Sequence, residues 1–191
     1  VRDDDEPDAR TVRRRIEESL LRLGVDYLDF YQVWNVNNRE NWDKATRPGG
    51  MVDGIRGAME DGLVLHTGFT THDSVENLLE YIETADWPEV ILFSYNMLSH
   101  TYAPAIEAAH KAGIGTIVMN PVGGGKLAEE SPVLGELAEK VGCTSVPDMA
   151  VRYALANPNV DTIACGMRKK AGVDDTVASA ECGPLTPEQV D

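Results

Sequence analysis

A chain of 191 residues has the length of one domain, and 17 basic against 32 acidic side chains leave a formal net charge of −15. This acidity excludes nucleic acid and anionic membrane as partners, because the only basic runs, Arg13-Arg14-Arg15 and Arg168-Lys169-Lys170, each lie in an acidic surround. No apolar run approaches the roughly 20 residues that cross a bilayer, and the start Val1-Arg2-Asp3-Asp4-Asp5 lacks the basic and apolar parts of a signal peptide, so a cytoplasmic protein is expected.

The first periodic segment, Thr11 to Leu23, puts Val12, Ile16, Leu20 and Leu23 on one stripe, with Arg13/Glu17 and Arg14/Glu18 as i,i+4 pairs, and predicts an amphipathic helix ending at Gly24. The aromatic and β-branched run Tyr27 to Val33 predicts a strand. Asn35 to Gly50 is polar, ends in Pro48-Gly49-Gly50, and reads as a loop; Met51 to Glu60 returns to helical spacing before Gly62. Val64 to Phe69 reads as a strand, and the helix after it has Asp73 as its expected cap with Glu76 three residues on.

The alternation continues. Val90 to Ser94 predicts a strand, Thr101 to Ala112 a helix closed by Gly113, and Thr116 to Met119 a strand followed by Asn120-Pro121-Val122-Gly123-Gly124-Gly125-Lys126. Ser131-Pro132 opens a helix through Lys140, and Pro147 to Ala156 carries another. Thr162 to Cys165 is the last strand, Gly172 to Glu181 the last full helix, and Thr186-Pro187-Glu188-Gln189 starts one more. Strands separated by helices imply an α/β fold with five parallel strands in chain order and an active face at their C-terminal ends. Two architectures fit: an open doubly wound sheet, or a (β/α)8 barrel lacking its first three units. Val1 is not an initiator and Asp191 interrupts a helix just after its cap, so both ends read as cut.

Cys143, Cys165 and Cys182 are odd in number and lack C-x-x-C spacing, so reduced, buried thiols are expected rather than disulfides, zinc or an iron–sulfur centre. Among the histidines, His72 falls at a strand end; His66, His100 and His110 read as surface or satisfied core residues.

Several strand-end peptides resemble those of the aldo/keto reductases: Ser19 to Gln32 (SLLRLGVDYLDFYQ), Gly68-Phe69-Thr70-Thr71-His72, Tyr95-Asn96-Met97-Leu98, Gly113-Ile114-Gly115, Asn120 to Leu127, and Cys165-Gly166-Met167. They occur in family order along nearly the whole chain. The resemblance implies a partial (β/α)8 TIM barrel, a single incomplete domain over residues 1–191, representing the C-terminal part of an NAD(P)H-dependent oxidoreductase that reduces aldehydes or ketones. The family's acid Tyr, its Lys and its Asp would lie upstream of Val1, so no catalytic residue is carried onto this chain, and the chain alone is expected to be inactive. The alternative is a non-catalytic barrel that binds nucleotide or a partner.

Site residues follow from the resemblance one by one. Trp34 stands where the family has a carbonyl-orienting His and becomes either a wall of the substrate pocket or a filler of the barrel. Thr70 and Thr71 take the place of a Ser-Asn pair on the nicotinamide carboxamide, with a helix N-cap as the alternative. Leu92 replaces a Gln aimed at the same group, and Met119 an aromatic that stacks under the nicotinamide.

Asn120, Pro121, Val122, Gly123, Gly124, Gly125 and Lys126 offer backbone N–H groups and a charge to a pyrophosphate, or form a plain loop. Gly166, Met167 and Asp175 fall at adenosine-phosphate positions, while Gly172 stands where Arg is common. Arg168, Lys169 and Lys170 either meet a 2′-phosphate or are solvated. NADP, or NAD, is therefore the expected cofactor, a small carbonyl compound the substrate, and self-association through the exposed sheet edges the expected partner behaviour.

Overall fold

The computed structural model describes residues 8–190; the acidic leader at positions 1–5 lies outside them. Two compact units organise the chain, residues 8–91 with 111–114 and residues 92–110 with 115–190.

The first unit holds α1 (Ala9–Leu23), β1 (Leu28–Val36), α2 (Arg39–Thr46), α3 (Met51–Glu60), β2 (Val64–Thr71), α4 (Val75–Thr84) and the start of β3 (Val90–Ser94). Asp8 caps α1 by accepting from the Thr11 N–H at 2.7 Å, and Gly24, at φ 69°, closes it. Val12, Ile16 and Leu20 are buried as the spacing predicts. Leu23 is a correction: at 65% exposure it sits beyond the buried stripe, on the last turn.

The segment expected as a loop contains α2. Asn38 caps it by accepting from the Asn41 N–H at 2.8 Å, and its buried residues, Trp42 and Ala45, are three apart on one face. Trp42 stacks on Tyr81 with ring centroids 4.0 Å apart and meets Phe69 edge-on at 5.5 Å. Two buried side chains suffice to hold a helix whose remaining residues are polar.

The cap of α4 is also corrected, from Asp73 to Ser74, whose hydroxyl accepts from the Asn77 N–H. The Asp73 carboxylate goes inward instead, accepting from Tyr81 Oη at 2.9 Å, Asn77 Nδ2 at 2.9 Å and the Ser74 N–H at 2.7 Å. Burial first, and then this bond to a carboxylate, push the Tyr81 phenol well above its usual range.

The second unit takes the rest of β3, α5 (Ala103–Lys111), β4 (Gly115–Met119), a 3-10 turn at Gly123–Ala128, α6 (Pro132–Lys140), α7 (Val146–Leu155), β5 (Thr162–Ala164), α8 (Lys170–Glu181) and α9 (Pro187–Val190). Met149, Ala138, Cys143 and Leu185 form a buried cluster here. Asp161 Oδ2 accepts from the Thr116 N–H at 2.7 Å and ties the start of β5 to β4. The basic run is only partly a loop, because Lys170 begins α8 and its Nζ donates to Asp174 at 2.6 Å. The thiols also differ from expectation: Cys143 is buried, Cys165 half-buried and Cys182 exposed.

One sheet takes the strands in the order β1-β2-β3-β4-β5, so the expected order holds. β1 pairs with β2 in parallel, with Phe30 opposite His66 and Gln32 opposite Gly68, and β4 pairs with β5 in parallel, with Met119 opposite Ala164. Gly68 has no substitute in this register, since a Cβ there would lie 1.7 Å from the Val90 carbonyl oxygen.

Candidate functional site

Parallel βα units collect their loops at the C-terminal ends of the strands, and the candidate residues stand there. In the first unit, β1 ends in a bulge between Val33 and Val36, with Asn35 at φ 93°. Strand alternation up to the bulge places Phe30, Gln32 and Trp34 on one face. Trp34 is 48% exposed and Phe30 55%.

At the end of β2 the two threonines have different fates. Thr71 is fully buried, donates its hydroxyl proton to the Val36 carbonyl at 2.8 Å and accepts from the Asp73 N–H at 3.1 Å, so its hydroxyl is consumed by the fold. The Thr70 hydroxyl is buried and unpaired. Since Ser74 caps the next helix, the N-cap reading of the pair fails. Gln32 Nε2 is likewise buried and unpaired, a donor that motif matching did not single out; a Gln between Tyr31 and Val33 in a strand was its one sequence signal.

In the second unit the chain after β4 is locked at its base and open at its tip. Asn120 sits at φ 59°, its carbonyl accepting from Asn96 Nδ2 at 3.0 Å and from the Gly123 N–H at 2.9 Å. Asn96 is buried and its Oδ1 accepts from the Leu98 N–H at 2.9 Å, which makes it a positioning residue that sequence reasoning left unassigned. Gly123, Gly124 and Gly125 follow at φ 61°, 69° and 103°, a left-handed run that side-chain-bearing residues resist. A Cβ on Gly124 or Gly125 would meet nothing within 4 Å. Two of the expected amides are engaged within the turn, Gly123 N–H with the Asn120 carbonyl and Gly125 N–H with that of Val122. Pro121 and Leu127 are buried at its base; Lys126, Gly166 and Met167 are exposed, and Met119 is half-buried.

Val122 and Asp175, proposed separately from the sequence, come together on one cavity of about 520 Å³ that Ser145, Asp148, Thr176 and Ser179 also line. Asp148 is 6% exposed. Its Oδ2 accepts from the Thr144 N–H at 2.8 Å and the Thr144 hydroxyl at 3.1 Å, whereas Oδ1 makes no hydrogen bond. Burial pushes its pKa up, but the Thr144 N–H, the hydroxyls of Ser179 and Thr144, and Arg152 outweigh it and hold the carboxyl below the usual range. Sequence reasoning missed Asp148, because this cavity forms between α7 and α8, which are distant along the chain.

Tyr95, the strand-end tyrosine, is buried against His100 and Tyr153 at ring distances of 5.7 and 6.1 Å. Tyr153 Oη and His100 Nε2 are hydrogen bonded at 2.9 Å. Burial and the contact with Tyr95 push the Tyr153 phenol above its usual range, the wrong direction for a proton donor at neutral pH.

Comparison with known families settles the ancestry of this arrangement: the Aldo/keto reductase family matches residues 5–191. The chain belongs to the aldo/keto reductase family. Its fold is shared with aldo-keto reductase AKR11C1 from Bacillus halodurans in its holo form, at 21% identity and a TM-score of 0.78 over 97% of this chain and 66% of that one. The thermostable aldo-keto reductase Tm1743, solved with the inhibitor epalrestat, aligns at 21% identity and a TM-score of 0.74 over 97% of this chain and 65% of its own. Glycerol dehydrogenase AKR11B4 from Gluconobacter oxydans gives 22% and 0.75, with 97% and 62% covered. The chain thus spans slightly less than two thirds of the length of these aldo/keto reductases. No curated protein matches it. Family and neighbours identify the five-stranded parallel sheet as part of the (β/α)8 barrel fold.

Proposed function

We propose that this chain is the nicotinamide dinucleotide-binding part of an aldo/keto reductase that reduces aldehydes or ketones with NADP or NAD. One observation carries the reading: the left-handed glycine turn after β4, open at Gly124 and Gly125, adjoins through Val122 a cavity in which a buried carboxylate keeps an unpaired oxygen. The residues fit the group. Gly124 and Gly125 allow a phosphate close approach to the backbone, Lys126 adds positive charge, and Asp175 meets the adenosine end with Gly166 and Met167 beside it. Met119 presents a polarizable thioether to the nicotinamide. In the first unit the unpaired Thr70 hydroxyl is assigned to the carboxamide, a role Thr71 has no free hydroxyl proton to share. Half-exposed Trp34 is assigned to a wall of the carbonyl pocket.

The bound dinucleotide supplies the hydride for a carbonyl carbon, and this chain's residues bind and orient. Proton delivery is assigned to none of them, since Tyr95 is buried among rings, so the chain by itself reduces no carbonyl compound. Binding without turnover is the second reading, favoured by Leu92 and Gly172, which offer no polar side chain at two family cofactor positions.

Titrating NADH and NADPH into the chain while following tryptophan fluorescence tests the proposal. Saturable binding that Gly124→Ala weakens at least tenfold is expected. No binding of either dinucleotide overturns it. Carbonyl-dependent oxidation at the rate of an intact reductase overturns the assignment of proton delivery elsewhere. We also assign the protein to the cytoplasm, in keeping with its free thiols.

A further inference from the structure

Two thiols from segments far apart in the sequence are brought to one guanidinium in the second unit. Cys143, on the connection between α6 and α7, is 7% exposed and packs with Ala138, Met149 and Leu185. Cys182 follows α8 as its C-cap and is exposed. Arg152 of α7 reaches both places: Nη1 lies 3.6 Å from Cys143 Sγ, and Nε donates at 2.9 Å to the carbonyl of Gly183, the residue after Cys182. The Arg152 carbonyl accepts from the Leu185 N–H at 3.2 Å, which holds the chain beyond Cys182 against α7. Thr144, next to Cys143, and Cys182 line the same cavity.

The two sulfurs differ in reactivity. Burial first, and then the Asp148 charge, raise the Cys143 thiol above its ordinary value; Arg152 opposes this, and Cys182 adds a further push upward. Cys143 is therefore a poor first target for an oxidant, which its burial also keeps out. Cys182 is open to solvent.

We infer that Cys143 and Cys182 form a reversible disulfide pair, Cys182 being the thiol that a hydroperoxide oxidises and Cys143 the thiol that resolves it. In the first step the Cys182 thiolate attacks the peroxide: an S–O bond forms, the O–O bond breaks, and the leaving oxygen departs as water with the thiol's proton. The sulfur is oxidised to a sulfenic acid and the peroxide is reduced. Cys143 Sγ then attacks Cys182 Sγ; the S–S bond forms, the S–O bond breaks, and hydroxide leaves as water with the Cys143 proton. For hydrogen peroxide the sum is two thiols and one peroxide giving one disulfide and two waters. Arg152 positions the second step, because a cation beside Cys143 Sγ favours its thiolate. Closure asks movement only of the last turn of α8, and helix ends open at low cost. A small dithiol reverses the reaction and becomes a disulfide itself. The closed form ties the end of α8 to the α6–α7 connection.

The test treats the full chain with hydrogen peroxide, blocks remaining thiols with iodoacetamide in denaturant, and reads a non-reduced tryptic digest by mass spectrometry. Cleavage after Lys140, Arg152, Arg168 and Lys170 puts the cysteines on separate peptides, 141–152, 153–168 and 171–191. The expected product is 141–152 joined to 171–191 with the loss of two hydrogens, in unchanged proportion when the chain is diluted tenfold, and separated again by dithiothreitol. Cys182→Ser, at an exposed position, is expected to abolish the link and leave Cys143 reduced, and Cys165→Ser to leave the link intact. Circular dichroism checks that each variant is folded. Recovery of 141–152 and 171–191 unlinked, whatever the oxidation state of Cys182, overturns the inference. So does a link that falls on dilution, which joins two chains, or one that runs through Cys165 instead.

Discussion

Asp73 in the first unit and Asp148 in the second are buried to the same degree, 6% exposed, and differ in what their oxygens do. Both Asp73 oxygens are occupied, by Tyr81, Asn77 and the Ser74 amide. On Asp148, Thr144 occupies one oxygen and the other is buried without a hydrogen-bond partner, on a residue that lines a cavity. A buried carboxylate is expensive unless satisfied, so a fully paired one reports on stability, and one left half-paired at a cavity reports on a ligand. The same contrast separates Thr71, whose hydroxyl is spent on Val36, from Thr70, whose hydroxyl is not.

The comparison breaks if the two aspartates respond alike to substitution. Asp73→Ala strands the Tyr81 hydroxyl and the Asn77 amide, at about 3 kcal/mol or more, and thermal unfolding is expected to fall by roughly 6–12 °C. Tyr81 gives a pH signature for the same network. Its pKa is raised in the folded state, so its contribution is present below the usual phenol value of 10.0 and is lost as pH rises toward the folded value. Stability measured by urea titration should therefore decline above pH 10 in the wild type, and Tyr81→Phe should remove that part of the decline.

Ser74→Ala removes the α4 cap and is expected to cost about 1 kcal/mol, less than the loss of Asp73 beside it; the reverse order would restore Asp73 as the cap. Asp148→Asn should lower neutral stability by only about 1 kcal/mol, because the charge that Thr144, Ser179 and Arg152 favour is lost while Asn retains an acceptor for Thr144. The difference from wild type should shrink in acid: with the Asp148 carboxyl held below its ordinary 3.8, its contribution is complete above 3.8 and lost as pH falls through the folded value. That acid-side loss should be smaller in Asp148→Asn.

How far such features can be read from sequence depends on whether their partners are local. The strands and their order were legible because short apolar runs alternate with glycine-closed helical segments, and Met51 to Glu60 matches α3 at both ends. α2 was hidden by polarity: Asn38, Arg39, Glu40 and Asn41 look like loop, and the helix is held through Trp42, whose partner Tyr81 comes from α4. Its cap, Asn38 with Asn41 three residues later, was the readable signal. Asp73 and Ser74 are both cap-type neighbours, and only Tyr81 eight residues on decides which is free to cap.

At the candidate site, motif order located the glycine turn and Asp175. The Gly123 and Gly125 amides could not be foreseen as spent, since that depends on where the Asn120 and Val122 carbonyls turn. Asp148 lay outside every motif because its cavity is completed by α8.

Outside the site, Trp87 Nε1 is buried without a partner, and nothing in the structure explains it. The apolar exposure of Phe30 and Trp34 on β1, an end strand of the sheet, is expected to make the isolated chain self-associate. Light scattering that shows a monomer at all micromolar concentrations would contradict this.

One nucleotide is proposed to lie on both the glycine turn and the cavity that Asp148 lines. Amide hydrogen exchange followed by mass spectrometry with and without saturating NADH tests it most directly. Slowed exchange is expected across residues 120–128 and 144–148 and in the first turns of α8, with residues 9–23 unchanged. Identical exchange in both segments with and without NADH would contradict it.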